Sequence, residues 1–270
     1  MILYSMYRVI IAFISIAFVS VSLFEVPNSL AMQANVTTYT VISNADDGIG
    51  SLRAAIVSAT PGATINFDSK LTSPIRLKSV LSIGKSLSIK GLGAERLAID
   101  GNNTTQLFRV TAGSVFISGL TLRKGHVKED DGGAIFIGSN AQVTISDSII
   151  TLNNTAAGKS GGCGGGIYNV GLLRLQNSQV INNSAQSGGG ICNYHDFREN
   201  VLGTAYISAS TIASNYLTST NLGRGCGAGI INIGGTITVE ASTIYDNIIL
   251  IDTSTTATLN TDLKKRVGQG

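Results

Sequence analysis

Tryptophan is absent, only 13% of the 270 residues are charged, and there are two histidines and three cysteines. With 32 glycines and an excess of small and β-branched residues over helix formers, the composition argues for short strands joined by tight turns rather than for a helical protein. No Cys-x-x-Cys and no histidine pair at ligand spacing occurs, so no metal site is expected. None of the glycine runs is followed by Gly-Lys-Ser/Thr or by the start of a helix, which excludes a phosphate cradle of the P-loop kind, and no cofactor is expected. The net charge of +3 is small and scattered, which gives no reason to expect a nucleic-acid partner.

One sequence pattern is present four times. A glycine run ends in Ile135, Ile167, Ile191 and Ile230; a second alternating stretch closes at Ile145, Leu175, Ile207 and Val239. Ser148, Ser178, Ser210 and Ser242 follow, and five residues after each serine come Asn153, Asn183, Asn215 and Asn247. The serines are 30, 32 and 32 residues apart, a solenoid period, and each copy alternates apolar and polar residues in strand-length runs. Each copy reads as one coil of three short strands, stacked on its neighbours by parallel pairing about 4.8 Å apart.

Two columns of asparagine stand out in this alignment. Asn153, Asn183, Asn215 and Asn247 form one; Asn169, Asn193 and Asn232, two residues after their isoleucines, form the other. An amide offers both donor and acceptor to the coil on either side, so both columns are predicted to be buried ladders. The glycine runs are placed where one coil passes to the next, and allow close backbone approach. Cys163 and Cys226 each precede such a run, two coil steps or about 10 Å apart, beyond the roughly 7 Å between Cα atoms that a disulfide spans. Cys192 is five residues out of register, so no intramolecular disulfide is expected.

The ends differ from the middle. The apolar run from Val9 to Phe24, followed by the small residues of Ser29-Leu30-Ala31, reads as a signal peptide over 1–31, or alternatively as an uncleaved membrane anchor. Residues 38–67 read as a strand, the turn Asp46-Asp47-Gly48, and a short helix over Ser51 to Ala59. That helix would cap the first coil of a β-helix spanning 68–250, with a tail over 251–270.

The stretch Asp46-Asp47-Gly48-Ile49-Gly50-Ser51-Leu52-Arg53-Ala54-Ala55-Ile56, followed by Pro61-Gly62-Ala63-Thr64-Ile65-Asn66-Phe67, resembles the Cys-Ser-Leu-Arg-Glu-Ala type N-terminal segment of bacterial secreted β-helix proteins. Gly-Gly-Ala-Ile at 132–135 and Gly-Gly-Gly-Ile-Tyr-Asn at 164–169 are similar to repeats of the polymorphic outer-membrane protein family. Ala54 replaces the usual Glu, and Ile150, Val180, Ile212 and Ile244 replace the Phe of Phe-x-x-Asn, so the resemblance is to the broad bacterial β-helix group. It implies an all-β, right-handed, single-stranded parallel β-helix of the pectin-lyase type, secreted or displayed as an adhesin-like surface protein. It implies no catalytic site, and no C-terminal β-barrel is recognised here.

Function is then sought in residues that the repeat does not use. Lys124, His126, Asp130 and Asp131, with Lys159 and Arg224 in later coils, are expected on one edge as a candidate binding face. The insertion Tyr194 to Thr204, with His195, Asp196, Arg198 and Glu199, is expected on another. An enzyme acting on an acidic polysaccharide would need convergent carboxylates and a basic group, for which Asp130, Asp131, Arg123, Lys124 and His126 are the only candidates. Adjacent carboxylates in one loop seldom aim at one point, so no catalytic residue is assigned. The expected protein is a monomer at the cell surface or secreted, contacting a glycan or a host or neighbouring surface, and meeting membrane only through an uncleaved N-terminal segment.

Overall fold

The structure is a computed structural model and describes residues 36–156, 162–218 and 226–249. The expected signal segment, the tail over 251–270, Lys159 and Arg224 lie outside the described residues. Among the described residues no helix is long and apolar enough to cross a membrane.

One turn shows how the sequence makes the coil. Ile135–Ser146 runs as a single strand with a register irregularity between Ile137 and Asn140, and is followed by Ile149–Thr151 and Asn154–Ala156. Side chains alternate along it with a period of two. Ile135, Ile137, Val143, Ile145, Ile150 and Thr155 point inward and are at most 1% exposed, while Phe136, Thr144, Ile149 and Thr151 point outward. Equivalent residues of successive turns pair in parallel, Ile135 with Phe108 and Ile167, Ile150 with Leu122 and Val180. The described strands form three sheets of 13, 7 and 5 strands, and all pairing between turns is parallel. The molecule is therefore all-β, a parallel β-solenoid of about 7 turns.

The third strand of each coil, expected in number but not placed along the sequence, forms the third sheet. His126–Lys128, Asn154–Ala156, Ser184–Ala185, Tyr216–Leu217 and Ile248–Ile249 are its strands. They are two or three residues long, and their inward positions include Thr155 and Ala185, so alternation is too short and too weakly apolar to show in the sequence.

Corners are turned by single residues in the left-handed region. Asp147, Asn177, Ala209 and Ala241 have φ of 50°, 44°, 48° and 46° between the first and second sheets. Leu152, Asn182, Ser214 and Asp246 have φ of 57°, 56°, 54° and 50° between the second and third. The residue that follows each corner joins it to its neighbours. Asn183 Oδ1 accepts from Asn153 N at 3.0 Å and Asn153 Nδ2 at 2.9 Å. Asn183 Nδ2 donates to Asn215 Oδ1 at 3.0 Å and back to Ile150 O at 2.9 Å. Asn215 repeats the pattern with Asn247, and Gly125, in the asparagine position one turn earlier, donates its N–H to Asn153 Oδ1 at 2.7 Å.

At the other corner the aligned serines make a ladder of their own. Ser148, Ser178 and Ser210 each donate a backbone N–H to the next serine's Oγ at 3.1 to 3.2 Å, and each hydroxyl donates to the carbonyl two residues back at 2.7 Å. The second asparagine column also connects, Asn169 Nδ2 to Asn193 Oδ1 at 2.7 Å and Asn193 Nδ2 to Asn232 Oδ1 at 2.8 Å. Among the described residues Asn169 Oδ1 has no partner, because Ile137 occupies that position in the turn before.

Close approach explains the glycines. A Cβ on Gly165 would lie 2.2 Å from Ser184 O and 2.5 Å from Gly189 O of the next turn. Ala228 holds the same position in the last repeat, where no described turn follows. The N-terminal end is closed by the helix Leu52–Ser58, capped by Ser51, whose side chain accepts from Ala54 N, with Leu52, Ala55 and Ile56 buried against the first turns. Arg53 fastens the Asp46 turn there: its guanidinium bonds Asp46 Oδ1 at 2.7 Å, Ser79 O at 2.6 Å and Val80 O at 2.9 Å. Burial pushes the Asp46 carboxyl up, but the bonds from Arg53 and Lys78 N outweigh it and hold its pKa below the ordinary value.

Asn183→Leu strands donors and acceptors in two neighbouring turns at once, and is expected to lower stability by about 1 to 3 kcal/mol. Urea unfolding followed by far-UV circular dichroism measures it, and a midpoint equal to wild type would contradict a ladder role.

Candidate functional site

The candidate loop face does not converge on a single point. Lys124 sits at a corner with φ of 52°, and His126 begins a strand of the third sheet. His126 Nδ1 lies 3.0 Å from Asn154 Oδ1, and Asn154 Nδ2 donates to Ser184 Oγ at 2.7 Å, so the histidine is tied to the next two turns through one amide. Asp130 is salt-bridged to Arg109, whose guanidinium carbon sits 4.2 Å from the Phe136 ring centroid. Asp131, half-buried, accepts the Cys163 N–H at 2.7 Å. Burial pushes the Asp131 carboxyl up to about 6, reinforced by Asp130 and opposed by the Cys163 hydrogen bond and Arg109. Each aspartate is thus held by a neighbouring element, and no cluster of three or more His, Cys, Asp or Glu that could hold a metal occurs among the described residues.

The expectation of no disulfide is overturned: Cys163 and Cys192 are bonded, with Cα atoms 5.7 Å apart, and Cys226 is free and exposed. The linear register count failed because the glycine run doubles back. Gly164 has φ of 72°, and a Cβ there would lie 2.3 Å from Ile167 O, so the residue before the run lies beside the strand that follows it. Cys163 therefore reaches the outward column Phe136, Tyr168, Cys192 of successive turns. In that column Phe136 and Tyr168 stack with centroids 5.4 Å apart, and Tyr194, two residues beyond Cys192, stacks on Tyr168 at 5.9 Å. Tyr168 and Cys192 are 8% and 0% exposed, so this aromatic stack is a satellite core outside the coil rather than an open binding face. Burial, with lesser contributions from nearby acidic groups, raises the Tyr168 phenol far above its ordinary value.

The insertion folds as a small antiparallel hairpin in which His195 pairs with Leu202 and Asp196 with Val201. The His195 and Phe197 rings are in contact, tilted, with centroids 4.2 Å apart.

An open concavity lies instead on the outer face of the first sheet. Ser88, Phe116, Thr144, Arg174 and Tyr206 are consecutive register partners on five adjacent strands. A parallel row, Ser114, Gln142, Leu172 and Thr204, runs beside them. Two concavities of about 260 and 440 Å³ share Gln142, Leu172 and Arg174, forming one shallow groove that runs from turn to turn. Arg174 lies 4.7 Å from the Tyr206 ring centroid, and Tyr206 is 42% exposed. The groove was legible by parity alone: in Leu172-Leu173-Arg174-Leu175 and Thr204-Ala205-Tyr206-Ile207 the inward positions are apolar, which puts Arg174 and Tyr206 outward. No family model, curated protein or solved structure matches the chain.

Reduction of the unfolded chain is expected to raise the accessible thiol count from one to three, and Cys163→Ser to cost about 3 to 4 kcal/mol under oxidising conditions for a loop of this length. Ellman titration with and without reductant checks the first, urea unfolding the second. For Asp131 the folded pKa lies above the unfolded one, so the native state holds the extra proton between about pH 4 and 6. That contribution is fully present below pH 4 and is lost as pH rises through 6. Asp131→Asn should therefore flatten the stability profile between pH 4 and 6; a slope unchanged from wild type would place the raised pKa elsewhere.

Proposed function

We propose that this chain is an exported β-helix protein, secreted or displayed at the cell surface, whose role is non-enzymatic contact with a glycan or a neighbouring surface. The observation that carries the reading is the five-strand groove with Phe116, Arg174 and Tyr206 among polar Ser, Thr, Gln and Asn side chains. An aromatic face offers apolar area to the C–H groups of a sugar ring, while the amides, hydroxyls and guanidinium beside it match sugar hydroxyls. With successive strands about 4.8 Å apart, the row from Ser88 to Tyr206 spans roughly 19 Å, enough for an extended chain rather than one small molecule.

The resemblance to bacterial secreted β-helix proteins and the Val9 to Phe24 segment both favour export. A disulfide between adjacent turns favours an oxidising compartment. Neither concavity is lined by a carboxylate, so the acid and base pair of a glycosidase has no members in the groove, and contact is favoured over cleavage.

A glycan array with the purified protein, followed by titration of the best ligand, tests the proposal. Phe116→Ala combined with Tyr206→Ala is expected to weaken binding at least about tenfold, or 1.4 kcal/mol. Binding unaffected by both substitutions would remove the groove from the account, and hydrolysis or elimination of a bound glycan would replace contact by catalysis.

A further inference from the structure

The small net charge conceals a strong segregation. Between residues 69 and 128 the sequence carries ten Lys and Arg against Glu95 and Asp100, whereas between 129 and 249 it carries four against eight Asp and Glu. The fold gathers part of the basic set on one surface. Arg76, Asp100 and Arg123 are register partners on the first three strands of the second sheet. Asp100, 3% exposed, is neutralised by Arg123 Nε at 2.8 Å, leaving Arg76 as the exposed charge of that row.

The corners at both ends of these strands add to it. Lys78 and Lys124 follow the strands, the latter with its carbonyl bonded by Asn103 N at 2.8 Å. Lys70 and Arg96 precede them, Arg96 Nη2 donating to Ser69 O at 3.3 Å. The carboxylates facing this surface are few: Asp46 is held by Arg53, Asp68 by the N–H of Lys70, and Glu95 is exposed beside Arg96. Among the described residues the side chains of Arg76, Lys78 and Lys124 make no ion pair or hydrogen bond. Further along the same sheet the outward positions are Ile149, Thr151, Gln179, Ile181, Thr211 and Ala213, none of them charged.

We infer that the outer face of the second sheet at the capped end is a binding surface for an acidic polysaccharide, separate from the groove and one corner away around the coil. The inference rests on the contact reading above and names its ligand class: a polymer with repeating carboxylates meets the unpaired cations Arg76, Lys78 and Lys124, which the strands of this sheet and their corners hold on a rigid lattice. Such contact releases counterions, so its affinity falls with salt in proportion to the number of cations engaged.

The test titrates the full chain with sodium alginate, neutral dextran and double-stranded DNA at about 50 and 200 mM salt. Three proteins are compared: wild type, the triple variant Arg76→Gln, Lys78→Gln, Lys124→Asn, and the groove variant Phe116→Ala, Tyr206→Ala. Asparagine at 124 tolerates the left-handed backbone, and Arg123 is left in place so that Asp100 keeps its partner. Thermal unfolding verifies that the triple variant folds as wild type does. Alginate is expected to bind wild type with a steep salt dependence, and the triple variant to lose at least about tenfold in affinity and about two units of salt slope. Alginate affinity within twofold of wild type in the triple variant, salt-independent binding, or tighter binding to DNA than to alginate overturns the basic face. If only the groove variant loses alginate, the contact reading survives and this surface does not; if wild type binds none of the glycans on the array and no alginate, both fall.

Discussion

Every turn of this solenoid has to bend its backbone at three corners while keeping pace with a neighbour about 4.8 Å away, and must do so without stranding a buried amide. That constraint selects the corner chemistry. A single left-handed residue makes the bend, and a non-glycine side chain there costs about 1 to 2 kcal/mol unless it is Asn or Asp. The residue after it supplies the compensation: serine hydroxyls at one corner, asparagine amides at the next, each bonded to the backbone and side chain of adjacent turns. Because the same bond is made at every level, no turn can adjust alone, and the cap of Leu52–Ser58 is needed where the stack begins.

The constraint also decides where function can be. Inward positions are fixed by packing, corner positions by the ladders, and glycines by close approach, as the 2.2 Å clash of a Cβ on Gly165 shows. What is left is the set of outward side chains on flat strands, whose spacing along the axis is set by hydrogen bonding rather than by loop conformation. Such a lattice suits a ligand that itself repeats. The groove and the basic surface are two outward rows of this kind on adjoining sheets.

Much of the fold was legible because columns are a sequence property. Four serines and seven asparagines at matching positions cannot be explained one turn at a time, whereas a stack uses all of them. What escaped notice depended on curvature rather than register. The third sheet was hidden because Ser184–Ala185 and Tyr216–Leu217 are too short to alternate visibly. The disulfide was hidden because a count along the chain treats Cys163 as five residues from the Cys192 register, while Gly164 at φ of 72° folds that interval back on itself. The candidate loop face was named from charge alone, and charge in a loop says nothing about direction: Asp131 is taken up by the Cys163 N–H and Asp130 is paired with Arg109.

Net charge misleads for a related reason. In a compact fold, distant stretches of sequence intermix on the surface, and a total of +3 is a fair description of what a partner meets. In a solenoid, position along the chain is position along the axis, so a run of basic sequence becomes a basic end of the molecule and an acidic run becomes the other. The ten Lys and Arg between residues 69 and 128 thus act as a local field that falls off within about a Debye length of 8 Å in physiological salt. Over that distance the acidic turns further along contribute little, and an anionic polymer approaching the capped end meets a surface unlike the one that the average charge describes.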